Sequence, residues 1–93
     1  MIERTATIAS TVGLHARPAA IFAEAAAEYE DVEITIAPVG EPAEDAMDAT
    51  SVLSLMGLGA AHGDTVVLRA EGAGAEAALD HLVRILETDH DAE

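Results

Sequence analysis

The apolar pattern changes period abruptly towards the end of the chain. Thr65-Val66-Val67-Leu68-Arg69-Ala70 reads as a β-strand, and after Gly72 and Gly74 the residues Leu79, Leu82, Val83 and Leu86 recur at i, i+3, i+4 and i+7. A strand and a helix, each apolar on one side, bury those sides against each other, which commits this part of the chain to a two-layer arrangement. Asp80 and Arg84, at i and i+4 in the favourable order, would support the helix.

The same alternation runs through the rest of the sequence. Ile2 to Ala9 reads as a half-buried first strand, with Ile2, Ala6 and Ile8 in alternation. A helix follows and runs to about Tyr29; Phe22, Ala26 and Tyr29 lie on one side, Ile21 and Ala25 beside them, and Glu24 and Glu28 face water. Val32, Ile34 and Ile36 share one face of a second strand. Pro38, Gly40 and Pro42 break any ladder before a weakly encoded third strand around Glu44–Ala49. Thr50 and Ser51 are N-cap residues for a short helix, Val52–Gly57, which Gly57 and Gly59 can end in the left-handed conformation. The last helix starts near Ala75, and residues 88–93 form a polar, acidic tail. The order is βαββαβα, which places the strands in one sheet with the helices on one side, an α+β fold.

Ninety-three residues allow one domain with a modest core. Because 21 of the residues are alanine and only Phe22 and Tyr29 are aromatic, core volume has to come mainly from Ile, Leu, Val and those two rings. The chain has no cysteine, hence no disulfide or thiolate metal site, and the other residues show no metal-ligand spacing. No run approaches the roughly 18 consecutive apolar residues of a membrane span, so a cytoplasmic protein without membrane insertion is expected. Eighteen acidic residues stand against four arginines and no lysine, a net charge of −14. That balance argues against nucleic acid and anionic membranes, which are bound through Lys and Arg. Such a coat repels itself at low ionic strength. Molar salt, with a Debye length of about 3 Å, would screen it, as in the salt-rich cytoplasm of halophilic archaea.

The chemistry gathers at Gly13-Leu14-His15-Ala16-Arg17-Pro18-Ala19. Pro18 is tolerated in a first helical turn and not in a helix interior, so a helix begins close to His15. Its start offers unpaired N–H groups, at Ala16 and Arg17, and the positive end of the macrodipole, which together suit phosphate. Arg17 adds a permanent charge, and Gly13 can take a positive φ and turn the chain into the helix. A helix start also disfavours the imidazolium, leaving His15 neutral and nucleophilic. Taken alone, one histidine among four is more often a loop residue, and Arg17 could simply balance nearby acids. His62 in a turn, His81 beside the apolar stripe of the last helix and His90 in the tail lack a comparable context.

The motif is similar to the active-site signature of HPr, the histidine-containing phosphocarrier of the sugar phosphotransferase system. The resemblance continues through Ser51-Val52-Leu53-Ser54-Leu55-Met56-Gly57-Leu58-Gly59 and Asp80-His81-Leu82-Val83-Arg84, so that residues 1–93 look like one such domain. It implies an open-faced two-layer β-sandwich, a four-stranded antiparallel sheet with three helices on one face. By the same resemblance His15 would be phosphorylated at Nδ1, with Arg17 beside it. Ser51 would correspond to a serine that a kinase phosphorylates in some bacteria, although an N-cap alone accounts for it. Val52, Leu53 and Met56 would dock partners while Leu55 and Leu58 fill the core; a wholly buried helix is the alternative. Val12 stands where the family has a small polar residue, and the family's ring of lysines is missing, which shifts docking towards apolar contact and Arg17.

The resemblance implies a carrier without cofactors, monomeric, and not a stand-alone enzyme. It would take phosphate from enzyme I, charged by phosphoenolpyruvate, and pass it to the A component of a sugar permease, with fructose a candidate sugar. A relay to the phosphotransfer subunit of a dihydroxyacetone kinase is equally open. A regulatory binding module of the same fold is a further alternative, but modules of that kind lack the histidine present here at His15.

Overall fold

The computed structural model describes residues 2–9, 13, 16–40, 46–58 and 61–88. The elements are β1 (Ile2–Thr7), α1 (Ala16–Ala27), β2 (Val32–Pro38), β3 (Met47–Asp48), α2 (Val52–Gly57), β4 (Thr65–Gly72) and α3 (Ala75–Leu86). They form a four-stranded sheet in the order β1-β4-β2-β3, antiparallel throughout.

Register assigns each residue to a face. Ile2 pairs with Ala70, Arg4 with Leu68 and Ala6 with Val66, while Ile34 and Ile36 of β2 stand opposite Ala70 and Leu68. Because side chains alternate along a strand, these residues share the face that the helices cover. Ala19, Phe22 and Ala26 of α1, Leu55 of α2, and Ala78, Leu79, Leu82 and Leu86 of α3 pack onto it. The largest fully buried side chains are Phe22, Ile8, Ile36, Leu55, Leu68, Leu79, Leu82 and Val66. As the composition requires, the core consists of aliphatic residues around one phenyl ring. Tyr29 is half-buried at its edge.

Several boundaries differ from the sequence reading. β1 stops at Thr7, although Ile8 and Ala9 still donate N–H groups to the carbonyls of Asp64 and Leu86 at 2.8 and 3.0 Å. α1 ends at Ala27, where the Glu28 and Tyr29 N–H groups shift to the carbonyls three residues back. Pro38 closes β2 instead of breaking it, a strand-end position where its missing N–H costs little. β3 shrinks to two exposed residues; the start expected at Glu44 lies outside the described residues. Gly57 is the last helical residue of α2 and not a left-handed stop, Leu58 caps the helix with φ −63°, and the stop expected at Gly59 lies outside the described residues. The cation beside Asp80 is Arg4, 3.5 Å away, which also reaches Glu76 at 3.7 Å and thereby ties β1 to α3 in place of the expected link to Arg84.

One glycine is imposed by close approach. Gly72 ends β4 at φ +130°, and a Cβ there would run into the backbone carbonyl oxygen of Asp31.

Candidate functional site

The segment before α1 turns at Gly13, which is buried with φ +79°, a backbone conformation that an L-residue adopts only with strain. His15 and Leu14 lie outside the described residues; His15 immediately precedes Ala16, the first residue of α1. Pro18 is buried in the first turn and has no N–H. Since the first N–H groups of a helix find no acceptor inside it, Ala16 and Arg17 are the donors this turn can offer. Arg17 is exposed, and among the described residues no carboxylate pairs with it. Arg4 and Arg69 are engaged elsewhere, Arg4 with Glu76 and Asp80, and Arg69 with Glu3 at 2.9 Å. Arg84 is also exposed, in the last turn of α3, so the first turn of α1 is one of two places where an arginine stands without a carboxylate partner among the described residues.

α2 packs beside α1. A turn built on Asp48 leads into it. The Asp48 carboxylate accepts from the Thr50 hydroxyl at 2.7 Å and from the Thr50 N–H at 2.9 Å. These two bonds, the hydroxyl first, hold the carboxyl below its ordinary value against a small opposing effect of burial. Ser51 follows in an extended conformation as the N-cap, its hydroxyl accepting from the Ser54 N–H at 3.3 Å. The helix then separates its side chains. Leu55 is 0% exposed in the core and Leu58 packs half-buried against it, whereas Leu53 is 84% and Met56 45% exposed. Val52 is shared, half-buried against the core. Leu53 and Met56, three residues apart, are neighbours on the outward face.

The sequence model of the family described as PTS HPr component phosphorylation site matches residues 2–88. The chain belongs to the HPr family. HPr of the halophilic archaeon Haloferax volcanii is 45% identical over 87 residues, 94% of each chain. HPr of Streptomyces coelicolor is 42% identical over 87 residues, covering 92% of this chain and 88% of its own. The crystal structure of HPr-C-His from Thermoanaerobacter tengcongensis superposes with a TM-score of 0.80 at 37% identity, covering 94% of this chain and 92% of that one. HPr from Bacillus anthracis gives the same TM-score at 28% identity over 91% and 95% of the two chains. HPr proteins are phosphocarriers of the phosphotransferase system that transfer a phosphoryl group through a histidine; enzyme I and A components are their partners, and they are not stand-alone enzymes.

Of the remaining histidines, His62 is exposed in a turn and His90 lies outside the described residues. His81 is half-buried; its Nδ1 is 2.8 Å from the Tyr29 hydroxyl, and the two rings meet edge to face at 6.0 Å. That bond joins the turn that follows α1 to α3. Sequence inspection missed it, although a tyrosine at a helix end and a histidine beside an apolar stripe were both visible. Among the described residues no cluster of His, Asp and Glu could hold a metal ion.

Proposed function

We propose that His15 is the histidine that carries the phosphoryl group in this HPr. Its imidazole attacks the phosphorus of phospho-enzyme I, a P–N bond forms as the donor's P–N bond breaks, and the transfer reverses towards the next acceptor. The Ala16 and Arg17 N–H groups and the Arg17 guanidinium would receive the phosphoryl oxygens, so that the site suits the charged product better than the free imidazole. The observation that supports this most strongly is the start of α1 at Ala16, directly after His15, with Arg17 exposed in its first turn and paired with no carboxylate among the described residues. Leu53 and Met56, with the exposed part of Val52, would form the apolar contact with enzyme I and with the acceptor.

In this reading residues 1–93 make one cytoplasmic, monomeric carrier domain with an acidic tail from about residue 88. The acceptor is the A component of a sugar permease, fructose being the first sugar to test. Ser51 serves first as the N-cap of α2. A phosphate on it would retain an acceptor at the helix start and place negative charge beside the docking face, which is how a kinase could regulate transfer there. The acidic surface and the Haloferax relative support operation in a salt-rich cytoplasm.

The test is relay from phosphoenolpyruvate through enzyme I and this chain to purified acceptors. Wild type should phosphorylate a permease A component and His15→Ala should not. Delivery to a dihydroxyacetone kinase subunit alone would reassign the acceptor, and undiminished relay by His15→Ala would remove His15 from the chemistry.

A further inference from the structure

The described residues include two methionines, Met47 and Met56, and neither belongs to the core. Met47 is 37% and Met56 45% exposed, while every large buried side chain is Ile, Leu, Val or Phe. Met47 is half of the short strand β3, which packs against α2; Met56 lies one turn beyond Leu53 on the outward face of that helix. A leucine would serve apolar docking equally well, and one stands exposed at position 53. What the thioether adds is redox chemistry. With no cysteine in the chain, methionine is its side chain for reversible two-electron oxidation at sulfur.

We propose that Met56 is an oxidation switch in the docking face, a regulation that rests on the assignment of that face to α2. A peroxide supplies the oxidant. The thioether sulfur attacks one peroxide oxygen, the O–O bond breaks, sulfur gains that oxygen and loses two electrons, and the peroxide leaves as water once the proton of the transferred oxygen has moved to the departing hydroxide. The product sulfoxide is polar and chiral where the docking surface is apolar, and burying its oxygen without a donor opposes association. Molar salt would not relieve the effect, because the sulfoxide dipole carries no net charge. The fold should be indifferent to the change: Leu55 keeps α2 on the core and Ser51 keeps its cap, neither through Met56.

The experiment treats the purified carrier with hydrogen peroxide, removes the peroxide, locates the added oxygen by peptide mass spectrometry, and measures melting temperature and the second-order rate of transfer from phospho-enzyme I. Each protein is compared with its own untreated sample. Wild type oxidised at Met56 should transfer roughly tenfold more slowly with an unchanged melting temperature, and methionine sulfoxide reductase with a dithiol should restore the rate. Met56→Leu should show a treated-to-untreated ratio near one, and Met47→Leu should lose rate as wild type does. An unchanged rate in oxidised wild type, an equal loss in Met56→Leu, or no sulfoxide at Met56 under conditions that oxidise free methionine would overturn the proposal. Met56→Asp separates the two ideas: if it transfers normally, the docking assignment itself has failed.

Discussion

Leu53 and Leu55 are the same residue type on the same helix, two positions apart, yet they should respond to alanine in opposite ways. Leu55 is fully buried between α2 and the sheet. Truncation there removes transfer free energy and leaves a cavity, a cost of about 2–5 kcal/mol. For a domain of this length each kcal/mol lowers the melting temperature by about 4–8 °C, so the fall should be about 8–40 °C. Leu53 is 84% exposed, and its truncation should change stability by no more than about 0.5 kcal/mol. Its cost should appear at the interface, where burying a leucine contributes about 1.5–3 kcal/mol and alanine keeps part of that, so transfer from enzyme I should slow roughly five- to thirtyfold. Thermal unfolding and the subsaturating rate of transfer, measured side by side, provide the assay. If Leu53→Ala melts as early as Leu55→Ala, the division of α2 into an inner and an outer face is wrong. If it melts normally and transfers at the wild-type rate, the outer face does not dock enzyme I.

Gly72→Ala should destabilise the fold by roughly 2–3 kcal/mol, through a strained positive φ and the clash with Asp31, as measured by urea unfolding. Thr50→Ala should remove the hydroxyl that lowers the Asp48 carboxyl. Because that carboxyl titrates lower in the folded state, its contribution is complete above the ordinary value of 3.8 and disappears as pH falls through the folded value, so wild type and variant should converge in stability in acid. The gap near neutrality should be only a few tenths of a kcal/mol, since Asp48 is exposed to solvent. Arg17→Ala should slow transfer in both directions and shorten the lifetime of the phosphorylated carrier, read by quenched-flow kinetics; unchanged rates would make Arg17 an ordinary surface charge.

Much of this arrangement was legible because it is local. Ser51 before an apolar run marks the start of α2, and the stripe from Leu79 to Leu86 marks α3, since capping and helical periodicity depend on residues within a few positions of one another. β3 was overextended because its two paired residues are held by Thr35 and Ile36 of β2 and carry little pattern of their own. Strand order, the Tyr29–His81 bond and the capture of Asp80 by Arg4 all join residues distant in sequence, and local pattern does not encode them. At the end of α2, Gly57 permits a left-handed stop without requiring one and stays helical, and the helix tightens through Leu58, whose N–H meets the Leu55 carbonyl at 3.3 Å. At the site, the glycine turn at Gly13 and the start of α1 followed from Pro18 and the glycine itself. Which α2 side chains face outward depended on how the helix packs against α1 and the core.

The most direct measurement is the location of the phosphate. After incubation with enzyme I and phosphoenolpyruvate, the carrier should hold one phosphoryl group that is lost in acid and kept in base, and peptide mapping under basic conditions should find it on His15. A phosphate on His62, His81 or His90, or an acid-stable one on a hydroxyl, would contradict the assignment of His15 as the carrier residue.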